Sequence, residues 1–231
     1  MISCLITLSP DSGEVILLEK TLPMKAIDFR SATASDAKMA GQILFESFPR
    51  KASFLIGLGN EDRARKILSD IFPLPGHRLS YEFARIAMIE GRTVGLVIAF
   101  PGKMLNKLNR HLVKRILKYY SFRGKLAFFL RVWPLVFLKE SARDEFFLSS
   151  LAVRNKHRGQ EVGEALLTHV ETRAAKAGFS KIALVVDIDD QDAKEIYDQN
   201  GYGVKTMNLE SNARVPYLGP GYQRRVKEIS L

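Results

Sequence analysis

Residues Leu151-Ala-Val-Arg-Asn-Lys-His-Arg-Gly-Gln-Glu-Val-Gly-Glu164 lead an apolar strand through a glycine-bearing turn straight into an amphipathic helix. No other stretch restricts the fold as much, because this one sets the end of a strand beside the open end of a helix. A helix N-terminus leaves about four backbone N–H groups unpaired and carries partial positive charge. Gly159 and Gly163 would let an anion such as a diphosphate reach that bare main chain. Val162, Leu166, Val170 and Ala174 give the helix a core face, Ala165, His169, Arg173 and Ala177 fill the adjacent row, and Gly178 supplies the stop. The packed side is thereby fixed, and the N-terminal end stays available to an anion.

The flanking sequence reads as a succession of strands and helices. Ala26 to Thr33 reads as a strand, and Ser35-Asp36 caps a helix through Phe48 in which Met39, Ile43 and Leu44 share one face. Glu61 to Phe72 is a second helix, closed by Pro73 and Pro75. Phe83 to Ile89 and Thr93 to Phe100 form a hairpin across Glu90-Gly-Arg92. Asp144 to Val153 leads into the turn, Lys181 to Val186 is a buried strand, and Asp190 caps a helix from Gln191 to Gln199. Gly203 to Leu209 and Gly221 to Ile229 complete the sheet around a Pro216 to Pro220 turn. Residues 1–23 read as an appended strand or hairpin around the Pro10-Asp-Ser-Gly13 turn, with Met24 an equally good start. The expectation is one domain over residues 1–231, with 1–23 as an extension and 102–142 as a helical insert.

Leu151-Ala-Val, Arg158-Gly-Gln-Glu-Val-Gly163 and Asp190-Gln-Asp-Ala-Lys-Glu-Ile-Tyr-Asp-Gln-Asn-Gly-Tyr202 together resemble the two central motifs of the GNAT superfamily, the acetyl-CoA-dependent N-acetyltransferases. The resemblance implies a GNAT-type α/β (α+β) fold. Its sheet would be mixed and mostly antiparallel, with about six to seven strands, splayed at the cofactor strand and flanked by helices. It also implies acetyl-CoA as cosubstrate. Leu151, Ala152 and Val153 would pair with the pantetheine arm through their main chain. Arg158, Gly159, Gln160, Glu161, Val162, Gly163 and Glu164 would meet the diphosphate, with Asp190 and Tyr197 completing the cofactor contacts. The acceptor would be an amine on a small molecule or a peptide.

Attack of an amine on a thioester needs a base for the amine proton, a donor for the oxyanion, and a hydrogen bond or proton for the departing thiolate. The resemblance puts Tyr197, seven residues after Asp190, at the sulfur as general acid. Read from the helix alone, the same residue is a core aromatic. Glu145, fourteen residues before Gly159, matches a catalytic glutamate of histone-acetylating relatives. Burial at the start of an apolar strand would raise its pKa toward a useful range; a solvated charge beside Asp144 is the other reading. The Ser149 N–H is the candidate oxyanion donor, its side chain being incidental. Glu161 stands where relatives commonly have glycine, and Asp190 replaces a common asparagine while keeping the helix cap. The branch that acetylates ribosomal-protein N-termini is disfavoured, because its base position holds Val185. A serine hydrolase is disfavoured too, since Ser149-Ser150 lack a G-x-S-x-G elbow.

The formal net charge of +10 favours anionic ligands such as CoA, anionic surfaces or nucleic acid without choosing among them. A single cysteine, Cys4, excludes an internal disulfide and a cysteine metal cluster. Turn and cap roles account for Asp187, Asp189 and Asp190, so no metal is assigned; His157, beside the turn, reads as a surface histidine, with a phosphate contact as the alternative. Met1 to Lys20 lacks a basic leader and carries Asp11, Glu14 and Glu19, which makes a cytoplasmic location the expectation.

From Lys103 to Lys139 the chain has ten Lys or Arg and no Asp or Glu, with Leu105, Leu108, Leu112, Ile116 and Tyr119 at helical spacing. That is a basic amphipathic helix. The following Leu126-Ala-Phe-Phe-Leu-Arg-Val-Trp-Pro-Leu-Val-Phe-Leu138 is too short, and too interrupted by Arg131 and Pro134, to span a bilayer. A roof over the acceptor cleft is the favoured role. Plain core packing, a homodimer contact and a membrane surface are the alternatives, and nucleic acid has only Tyr119, Tyr120 and Phe122 to stack on. The rival to an enzyme is a catalytically weak CoA-binding or anionic-surface-binding module that uses the insert.

Overall fold

Val94 to Phe100 is apolar throughout save for Gly95, and such a run makes a strand buried on both faces. It forms the middle of β3 (Arg92–Pro101), where every residue from 94 to 100 is buried. The computed structural model describes residues 26–133, 139–157, 161–209 and 221–230. Before β3 come β1 (Ile27–Ser31), α1 (Ala37–Ser47), the single turn α2 (Pro49–Lys51), α3 (Glu61–Ile71) and β2 (Ala84–Ile89). The insert then supplies α4 (Leu105–Ile116) and α5 (Phe122–Val132). After it follow β4 (Phe146–Val153), α6 (Val162–Lys176), β5 (Lys181–Asp187), α7 (Gln191–Gln199), β6 (Gly203–Leu209) and β7 (Gly221–Glu228).

The strands form one seven-stranded sheet in the order β1-β2-β3-β4-β5-β7-β6. All neighbours are antiparallel except β4 and β5, which α6 joins by a parallel crossover. Glu90 and Gly91 turn the β2–β3 hairpin at φ 49° and 75°, the left-handed pair that a two-residue loop demands. The mixed, mostly antiparallel sheet flanked by helices is the architecture the sequence resemblance implied. One sheet face packs on α1, α3 and the insert helices through Ile43, Leu68, Ile86, Leu96, Leu108 and Phe128. The other packs on α6 through Val97, Leu148, Leu166, Val170 and Leu184.

The insert leaves and rejoins the sheet at a pinch. Gly102 donates its N–H to the Glu145 carbonyl at 2.8 Å. A Cβ on Gly102 would sit 2.1 Å from the Ala142 carbonyl oxygen, so only glycine lets the two ends meet. The expected elements at 1–23, Arg158 to Gln160, Pro134 to Leu138 and Pro216 to Pro220 lie outside the described residues.

Candidate functional site

The sheet opens between β4 and β5. Only Phe146↔Ile182, Phe147↔Ala183 and Leu148↔Leu184 pair across them. On the β3 side, Ile98 faces Ser150 and Ala99 faces Leu148, so Ser149 is the extra residue of a β-bulge. Past the bulge β4 pairs with β3 alone, and β5 pairs with β7 alone. The two strands therefore turn unpaired main-chain edges toward a wedge that begins at Ser149 and runs along Leu151, Ala152 and Val153. An extended chain entering it can take up the hydrogen bonds that a neighbouring strand would.

The first turn of α6 follows from β4. Its N-cap is Glu161, at φ 58° in the left-handed region. A side chain costs about 1 kcal/mol there, which gives the physical reason for a glycine at this position. Val162 is buried and anchors the turn, whereas Glu161 and Glu164 are exposed. A Cβ on Gly163 would lie 3.6 Å from Ile196 Cδ1, so α7 is seated against the start of α6. Asp190 caps α7 by accepting from the Ala193 N–H at 3.1 Å. Asp187 and Asp189 are engaged by Lys51 and Arg50 of α2.

Tyr197, next to Ile196, packs edge-on against Tyr202 with ring centroids 5.8 Å apart. The Tyr202 N–H donates to the Tyr197 carbonyl at 2.9 Å, and the Tyr202 hydroxyl donates to Glu171 of α6 at 3.1 Å. Burial, and then Asp190, push the Tyr197 phenol above its ordinary range, against an opposing pull from Arg225. It therefore stays protonated and keeps an O–H to donate.

Glu145 requires a correction. It precedes β4 rather than opening it, and its carboxyl is held below the usual carboxylate range, not raised. Burial does push the pKa up, but Arg224, the Ala142 N–H at 2.6 Å and the Ser141 hydroxyl at 3.0 Å outweigh it. A carboxylate paired this way is a poorer base than an ordinary glutamate. Arg224 reaches it from β7, past β5.

A second cluster sits at the bulge. Arg78, in the segment between α3 and β2, donates from Nε to Ser149 Oγ at 3.2 Å and from Nη1 to Asn109 Oδ1 of α4 at 3.1 Å. Both of its terminal nitrogens bond Glu140, at 2.8–3.0 Å. The Ser149 side chain is thus part of a network rather than incidental. α4 reaches the bulge through Asn109, while α5 packs on the π-helical turn Ala52–Ile56, where Arg131 donates to the Phe54 carbonyl at 2.7 Å. Sequence reading missed Arg78, Asn109, Glu140 and Arg224. Only the last left a signal: Arg224-Arg225 inside a strand puts one cation on each sheet face, and each needs a partner. Arg224 takes Glu145 and Arg225 takes Asp198.

Among known proteins, the profile of the acetyltransferase (GNAT) family matches residues 76–202. No protein of curated function matches the sequence. A solved acetyltransferase superposes with a TM-score of 0.65 at 19% identity, over 88% of this chain and 100% of its own. An N-acetyltransferase from Staphylococcus aureus Mu50 gives 0.66 at 16% identity, over 87% and 100%. A mosquito arylalkylamine N-acetyltransferase-like protein gives 0.56 at 16%, over 88% and 100%. These structures establish the fold, and the profile covers more than half of the sequence. The chain therefore belongs to the acetyltransferase (GNAT) family and is an acyltransferase.

Proposed function

We propose that the protein transfers an acetyl group from acetyl-CoA directly to an amine of a small molecule or peptide. The observation that supports this most is the parting of β4 from β5 at Ser149 beside the first turn of α6. The free edge of Leu151, Ala152 and Val153 suits the amides of the pantetheine arm. Val162, Gly163 and Glu164, with Arg158, Gly159, Gln160 and Glu161 ahead of them, would surround the diphosphate at the helix N-terminus. The Ser149 N–H would donate to the oxyanion, and Tyr197 to the departing sulfur, with Asp190 holding α7 in place. Glu145 serves to position β4, and the amine proton leaves to water.

Calorimetric titration of acetyl-CoA tests the cofactor site. Wild type should bind with a Kd of order micromolar. Gly163→Trp should bind none, because the indole must displace Ile196 and fill the helix end. Folded wild type that gives no heat would overturn the proposal. An amine panel scored by free-thiol release then separates transfer from the rival reading, a binding module without turnover.

Glu161→Gly offers a gain-of-function check on the same site. It removes a left-handed side chain and a carboxylate beside the diphosphate, each effect worth about 1 kcal/mol. The variant should unfold at higher denaturant and bind acetyl-CoA about fivefold more tightly. Weaker binding in this variant would mean that the glutamate contributes to the site.

A further inference from the structure

α5 turns most of its apolar side chains to solvent. Phe128 is its one buried residue, yet Phe122, Leu126, Phe129, Leu130 and the adjoining Trp133 are between 49 and 83% exposed. At about 100° per residue these five fall within one stripe roughly 100° wide, opposite the side that meets the core. Arg123 and Lys125, both exposed, lie on either side of that stripe. Arg131 instead points inward, over the Phe54 ring. Just before α5, the exposed Lys103, Lys107, Arg110, Lys114 and Lys118 recur at helical spacing along and beside α4. Between residues 103 and 139 no carboxylate offsets any of these charges.

An apolar stripe edged by cations is the pattern of a helix lying in a membrane interface. Its hydrocarbon enters the headgroup boundary while Lys and Arg reach up to lipid phosphates. We infer that α5 docks this protein on an anionic lipid surface. A second copy fits the same face poorly. A symmetric contact would set Arg123 and Lys125 against like charges with no acid between residues 103 and 139 to relieve them, and the net charge of +10 adds to the repulsion. Nucleic acid would satisfy the cations but leave Leu126 and Leu130 in water. Among the described residues no helix is long and apolar enough to cross a membrane, so the contact is a surface one. The inference is independent of the acetyl-transfer reading.

The full chain contains one tryptophan, Trp133, which reports directly from the stripe. Vesicles of phosphatidylcholine mixed with phosphatidylglycerol should sediment the protein and shift Trp133 emission to the blue. Vesicles of phosphatidylcholine alone should bind about tenfold less, and salt should release the protein. Leu126→Glu with Leu130→Glu, and separately Arg123→Glu with Lys125→Glu, should each weaken vesicle binding about tenfold. Both double variants should keep the wild-type melting curve, since all four side chains are exposed. Acetyl-CoA calorimetry on the leucine double variant should match wild type, which keeps failure here distinct from failure of the cofactor site. The inference is overturned by absence of binding to the anionic vesicles, by equal binding to neutral ones, or by binding that survives both double variants. It is equally overturned by a concentration-dependent dimer, in the absence of lipid, that the leucine double variant dissolves.

Discussion

Arg224→Met should lower the unfolding free energy at neutral pH by about 3–5 kcal/mol, because it leaves the Glu145 carboxylate buried and without its counter-ion. The side chains of the pair are only 9% and 7% exposed. The Ala142 N–H and the Ser141 hydroxyl stay in place, so the loss falls in the lower half of that range. Replacing both partners, as Glu145→Leu with Arg224→Met, should recover most of the loss, since an apolar pair of similar volume carries no desolvation cost. Acid separates the cases further. In wild type the folded pKa of Glu145 lies below the unfolded one. Its contribution is therefore complete above the unfolded carboxylate range, about pH 4.3, and fades as pH falls through the lower folded value. In Arg224→Met, burial acts without its main counterweight, and protonation relieves the strain. Urea unfolding of both proteins at neutral pH and near pH 4 should thus show a gap that narrows on acidification. A gap below about 1 kcal/mol at neutral pH would mean that solvent reaches the pair.

That pair also marks the limit of what the chain reveals in one dimension. Strongly periodic segments were legible: the run from Val94 to Phe100, the stripe of α6 and the capped α7 end within a residue or two of where their patterns end. The insertion of β7 between β5 and β6 was not, because neighbour order depends on how the edges meet rather than on any local pattern. Nor does Ser149-Ser150 announce a bulge, which arises only from the register of Ile98 and Ala99 against Ser150 and Leu148. For Glu145 the sequence left a buried carboxylate and a solvated charge equally open, and its protonation depends on a partner 79 residues away. The Arg78 network likewise joins four separated segments. For Glu161, sequence flagged a departure from glycine, and a φ of 58° gives the physical reason a glycine suits the position. The first insert helix could be read from leucine spacing, whereas α5 was legible only as an apolar stretch, and the side of it that packs could not be read, since apolar residues occupy both of its faces.

Tyr197→Phe should cut kcat for acetyl transfer about 100-fold and leave acetyl-CoA affinity within about twofold of wild type. Phenylalanine keeps the edge contact with Tyr202, so the fold of α7 is retained and only the O–H is lost. The size follows from the acidities involved. A free thiol titrates near 8.5 and a phenol near 10, and burial moves the Tyr197 phenol higher still. Outright proton transfer to the thiolate is therefore uphill. On the proposed mechanism the phenol would work chiefly by donating a hydrogen bond to the sulfur as charge develops there. Losing one such donor in a dry site costs about 3 kcal/mol, or about two orders of magnitude in rate. A residue that only packs would leave kcat unchanged, and that result would remove Tyr197 from the reaction. The pH profile adds an independent readout. A phenol held protonated by burial does not titrate in its ordinary range, so the wild-type rate should show no alkaline fall through about pH 10 that Tyr197→Phe abolishes.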